Sequence, residues 1–178
     1  MAESAYRAIS IPETGEYAPY TVAYVDLVPR DERVLDHLAH NVDVMYDLVK
    51  SLSVPLDEPH QAGEWTVKDI LVHVMDAERV FSYRALRIAR GDTTPLPGYE
   101  QDDYAPHASA NTRTLDDIFA EYRAIRQATL TLFNSFDDEA LLRQGTGSGF
   151  PVSVRAAVHQ IAGHELFHIQ SIKENYGS

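Results

Sequence analysis

The sequence predicts an all-α protein, a four-helix bundle with a long crossover between its second and third helices. Three observations carry that prediction. Four segments repeat apolar residues at spacings of three and four, the period of a helix with one buried face. Each has helix start or stop signals at its ends. The second and third are separated by residues 91–111, rich in Pro, Gly and Asp, a connection long enough to let its two helices run in the same direction.

The first helix is expected from about Asp31 to Leu52, with Leu35, Leu38, Val42, Met45, Val49 and Leu52 on one stripe, ending before Pro55. The second begins at Thr66, whose hydroxyl can cap it while Asp69 reaches back in a variant capping box. Its stripe is Ile70, His73, Ala77, Phe81, Arg84 and Ile88, closed by Gly91. The third starts near Thr112 or Thr114 and aligns Leu115, Ile118, Tyr122, Ile125, Thr129, Leu132 and Phe136. The fourth is led by Pro151 and Ser153 and aligns Val154, Ala157, Ile161, His164, His168 and Ile172. Such stripes cannot be buried singly, so the helices pack on one another. The first 30 residues, with Pro12, Gly15, Pro19 and Pro29, read as an extended strap in which Tyr20–Val25 can cross the bundle; Gly145–Gly149 reads as a flexible link.

A chain of 178 residues is expected to form one domain over 1–178. Its net charge of -12 argues against nucleic acid, whose recognition needs clustered Lys and Arg. Arg79, Arg84, Arg87 and Arg90 do cluster, but beside Asp76 and Glu78 they read as a solvated, salt-bridged helix face. The opening residues lack the pattern of a secretory signal and no apolar run is long enough to span a bilayer, so a cytoplasmic protein without a membrane partner is the expectation. With no cysteine, any metal is held by nitrogen and oxygen.

Of the eight histidines, His37, His40, His60, His107 and His159 sit where a satisfied or half-exposed role suffices. His164 and His168 are one helical turn apart on an apolar stripe, a spacing that suits adjacent corners of a metal polyhedron. Two inward imidazoles that were not ligands would each need another buried partner. His73, also on an apolar stripe but on another helix, supplies a third corner. The string His164-Glu165-Leu166-Phe167-His168 also fits the zincin pattern. Zincins take their third ligand downstream, where this sequence offers only Glu174, and the metzincin extension is absent. An upstream ligand explains these residues better than a protease does.

The blocks Trp65-Thr66-Val67-Lys68-Asp69-Ile70-Leu71-Val72-His73, with Asp76 following, the crossover Gly91 to Asp102, and Ile161-Ala162-Gly163-His164-Glu165-Leu166-Phe167-His168 resemble the DinB-like, or YfiT-like, four-helix metalloproteins. The resemblance spans nearly the whole chain. It implies an up-down-down-up bundle, a zinc or nickel ion on residues matching His73, His164 and His168, and a homodimer. It also implies one of several activities on a small-molecule substrate: hydrolysis, S-transfer dependent on a low-molecular-weight thiol, or thiol-dependent isomerisation. A site is inherited more securely than a reaction, and a non-catalytic metal-binding stress-response module stays open beside the enzyme.

Three histidines leave a position open on the metal, as catalytic sites do. Asp76, one turn after His73, and Glu165, beside His164, are the candidate catalytic carboxylates. Each also has an ordinary reading, Asp76 as a partner of Arg79 or Arg84 and Glu165 as a boundary residue. Gln160 is placed to support a ligand imidazole. Tyr83, Arg84, Tyr99, Tyr104 and Tyr122 are candidates to line a pocket under the crossover, while Trp65 reads as packing.

Overall fold

The computed structural model describes residues 5–177. Four long helices dominate: α2 (Val34–Ser51), α3 (Val67–Ala89), α5 (Leu115–Asn134) and α7 (Val154–Tyr176). Shorter elements connect them: α1 (Val22–Val25), α4 (Gln101–Tyr104), α6 (Asp138–Leu142), and a hairpin of β1 (Gln144–Gly147) and β2 (Phe150–Ser153).

The starts of three long helices are fixed by side chains. Thr66 and Asp69 form a reciprocal capping box on α3. Thr114 accepts from the Asp117 amide on α5, and Ser153 from the Ala156 amide on α7. Each such cap contributes about 1 kcal/mol by satisfying an amide that the helix leaves unpaired.

Around the bundle, α2 and α3 each pack on both α5 and α7. Contacts between α3 and α5 ascend together, Arg79 with Glu121 and Ser82 with Thr129, so these helices run parallel. Those between α2 and α5 run in opposite order, Leu38 with Arg126 and Tyr46 with Phe119. Helix α7 opposes α3: the Tyr176 hydroxyl reaches the Trp65 carbonyl, and His164 meets His73. Among the described residues no helix is long and apolar enough to cross a membrane.

The core falls into two apolar clusters, one toward the hairpin and one toward Trp65. Between them lies a buried polar belt. Arg126 donates from Nη2 to Glu78 Oε2 at 3.0 Å and to Glu165 Oε1 at 2.7 Å, and the Tyr122 hydroxyl donates to Glu165 Oε1 at 2.5 Å. Burying such charges is tolerated because each meets an opposite charge or a strong donor. Burial alone would raise the Glu165 pKa; Arg126 and Tyr122 oppose this, and the net direction remains upward.

Four expectations need correction. Tyr20–Val25 is not extended: Pro19–Thr21 is a 3-10 turn leading into α1, which lies against α7. The approach is so close that a Cβ on Gly163 would fall 1.9 Å from the Tyr24 carbonyl oxygen. Residues 145–149 are not a free link but belong to the hairpin, whose Ser148 amide bonds the Leu96 carbonyl of the crossover at 3.0 Å. On α5 Ile118, Tyr122 and Thr129 of the predicted stripe are buried, but Leu115, Ile125 and Leu132 are only partly so and Phe119, Arg126 and Phe133 lie inside instead; an inward arginine disguises that face as polar. Tyr122 is wholly in the core and lines no pocket.

Candidate metal centre

Helix α3 carries His73 in its second turn and α7 carries His164 and His168 one turn apart. Because α3 and α7 pack together, the three rings meet. His164 Nε2 lies 3.0 Å from His73 Nε2 and 3.1 Å from His168 Nε2, and the three residues' candidate ligand atoms fall within 4.8 Å of one another. Metal–imidazole bonds of about 2.0–2.1 Å put neighbouring ligand nitrogens about 3 to 3.5 Å apart, so the spacing fits one ion. A hydrogen-bonding account fits less well. His164 Nε2 faces both other Nε2 atoms, yet an imidazole nitrogen offers either one proton or one lone pair.

The electrostatics suit a cation. Burial pushes the His73 pKa down to about 4, with Asp102 pulling weakly the other way. Burial, then the charge His73 can carry, takes His168 to about 3. His164 falls well below its ordinary value by burial and by both neighbours. At neutral pH all three rings therefore present lone pairs, the form a metal requires.

Aromatic residues fix the ring planes. Trp65 packs on His73 with centroids 4.7 Å apart, so its packing role serves the site directly. Tyr24 meets His164 edge-on at 5.4 Å, and Phe167 meets both Tyr24 and His168. Beside His164 opens a cleft of about 310 Å³, lined by Tyr20, Thr21 and Tyr24 of the strap, Phe81 and Arg84 of α3, Tyr99 to Asp102 of the crossover, and Ser148 of the hairpin.

The other sequence candidates distribute differently. Asp76 is half-buried and accepts from Arg79 Nη1 at 3.4 Å; burial raises its pKa, Arg79 opposes this, and Glu121 adds to the rise. Glu165 turns toward α5, where Oε1 is held by Tyr122 and Arg126 while Oε2 is buried with no hydrogen-bond partner. Gln160 does not support an imidazole: its Nε2 donates to Thr21 Oγ1 at 2.9 Å and secures the strap. Tyr99 lines the cleft, whereas Tyr83 and Tyr104 are about half exposed and line an adjoining apolar groove.

The basic face also splits: Arg79 and Arg87 form surface ion pairs, but Arg84 is buried. Of the five remaining histidines, His159 is buried with Nδ1 on the Arg155 carbonyl at 2.8 Å, His37 pairs with Asp31 at 3.0 Å, and none joins the cluster. Sequence reasoning missed Tyr24, Thr21 and Asp102. The readable signal was Gly163, an interior helix glycine that costs about 1 kcal/mol relative to alanine and so implies a close neighbour.

Comparison with known proteins gives a consistent picture. No curated protein matches the chain. Among solved structures it is similar to YfiT from Bacillus subtilis, described as a probable metal-dependent hydrolase with an unusual four-helix bundle topology; the TM-score is 0.74 at 17% identity, over 90% of this chain and 92% of that one. At that identity the likeness shows the fold. The model of the DinB superfamily matches residues 37–172, and the chain belongs to that superfamily.

Proposed function

We propose that this protein is a metal-dependent hydrolase of a small molecule, with one zinc or nickel ion held by His73, His164 and His168. The observation that carries the reading is the convergence of three neutral Nε2 atoms beside a cleft, with no carboxylate or cysteine among them. The description of YfiT as a probable metal-dependent hydrolase supports it. Bound there, a divalent metal supplies Lewis acidity next to the cleft and lowers the pKa of an acidic group it meets.

The chain's own residues do the rest. Trp65, Tyr24 and Phe167 hold the imidazole planes, and the strap and crossover form two sides of the cleft. Asp76, its pKa raised by burial and one oxygen held by Arg79, is the proposed proton acceptor at Oδ2. Glu165 Oε2, buried and unpartnered, is the second candidate proton carrier, while its Oε1 anchors α7 behind His164.

The test is elemental mass spectrometry on protein purified without a histidine tag, for the parent, His73→Ala and His168→Ala. About one equivalent of zinc or nickel in the parent, absent from both folded variants, is expected. No metal in the parent after reconstitution with both ions would overturn the reading. Loaded protein is then assayed on small esters and amides. A thiol-dependent S-transferase shows itself instead if turnover requires an added thiol and an electrophile.

A further inference from the structure

Three arginines are buried in this chain: Arg84, Arg126 and Arg155, at 6%, 2% and 8% exposure. Two are neutralised. Arg126 meets Glu78 and Glu165, and Arg155 meets Glu16 and receives further support from Ser10. Arg84 is different. Its Nη2 donates to the Pro97 carbonyl and to Ser148 Oγ, both at 2.8 Å, and neither partner carries charge. Among the described residues it forms no ion pair with a carboxylate; the ionisable groups it senses are the phenols of Tyr20 and Tyr99. Its guanidinium also packs over the Phe81 ring at 5.6 Å.

An unneutralised cation taken out of water is costly, and hydrogen bonds to neutral oxygens offset only part of that cost. A purely structural arginine at this junction of α3, crossover and hairpin gains nothing from lacking a carboxylate. The location supplies the reason: Arg84 lines the same cleft as His164, together with Tyr20, Tyr99 and Gln101. The acidic residues of that cleft, Glu100 and Asp102, are exposed and border the opening without neutralising Arg84.

We propose that Arg84 is the anion-binding residue of the cleft, and that the substrate is a small molecule carrying a carboxylate which Arg84 receives while its reacting group faces His164. The proposal rests on the reading of the cleft as the substrate site beside the metal centre. The guanidinium is suited to the task, because its planar fork gives charge-assisted hydrogen bonds to a carboxylate. Pro97 and Ser148 hold it in place, so a ligand does not have to order it.

The test compares hexanoate with hexanamide, probes of nearly equal size that differ in charge. Binding is followed by NMR on metal-free protein and repeated after zinc loading. Hexanoate is expected to bind at least about tenfold more tightly than hexanamide, to shift the Arg84 Nε–H resonance, and to lose that preference in Arg84→Met while Arg84→Lys keeps part of it. Affinities within twofold of one another in the parent, no binding of hexanoate, or a preference that survives Arg84→Met would overturn the proposal. The resonance shift decides the matter even if Arg84→Met does not fold. Failure to take up zinc would count against the metal reading alone, since the metal-free comparison stands without it.

Discussion

Two polar clusters lie side by side inside this bundle, and they solve the problem of burial in opposite ways. The Glu78–Arg126–Glu165–Tyr122 belt satisfies nearly all of its groups from within: its guanidinium meets two carboxylates and its phenol donates to one of them, leaving Glu165 Oε2 without a partner. The histidine cluster, one residue away along α7, does not. Its Nε2 atoms face one another, and His168 Nδ1 is buried without a partner. The belt reads as structure because its charges pair with one another, with Glu165 Oε2 left over. The histidines read as a candidate site because their lone pairs converge at a spacing that one ion fits.

Breaking the belt should have the largest effect. Arg126→Met leaves two buried carboxylates without their counter-charge and should cost about 3–5 kcal/mol, read by urea unfolding. A loss under about 1 kcal/mol would mean the belt is not the closed unit described. Next comes Gly163→Ala. Helix propensity alone would make it stabilising by about 1 kcal/mol, but the added Cβ meets the Tyr24 carbonyl at 1.9 Å. The strap must move, so a net loss of about 1–3 kcal/mol is expected, with Tyr24 resonances shifted away from His164.

His168→Ala should do far less to the metal-free protein, about 1 kcal/mol or less, because its buried Nδ1 has no partner to lose. The same substitution should abolish the rise in melting temperature that zinc gives the parent. Smallest is a pH effect at the strap. Burial alone would raise the Glu16 pKa, but Arg155 and Ser153 outweigh it and hold the carboxyl below its ordinary value of 4.5. The folded pKa is the lower one, so this stabilisation is present above about pH 4.5 and is lost as pH falls through the folded value. Glu16→Gln should flatten that acid limb of the stability curve and leave the shape of the curve above about pH 5 as it is in the parent.

What the sequence made legible follows from the same contrast. The four long helices and their caps at Thr66, Thr114 and Ser153 depend on residues within one turn of each other, so periodicity and spacing reveal them. His164 and His168 share that locality, and His73 stands between Ile70 and Ala77 on a largely apolar face. The rest depends on contacts between distant segments. Arg126 looks like a surface charge until the belt is in place around it, and Arg84 fits a salt-bridged face as well as a pocket until the crossover and hairpin enclose it. The strap turns helical at α1 because Gly163 admits its backbone, and residues 145–149 form a hairpin held to the crossover at Leu96. In both places the informative residue is a glycine or a charge whose partner lies far away in sequence.

The central claim is that the three histidines form one metal site. It is tested most directly by X-ray absorption at the zinc edge on protein loaded with one equivalent. Three imidazole nitrogens at about 2.0–2.1 Å, falling to two in His168→Ala, is the predicted result. A shell of oxygen ligands, or a spectrum unchanged by removing His168, would contradict it.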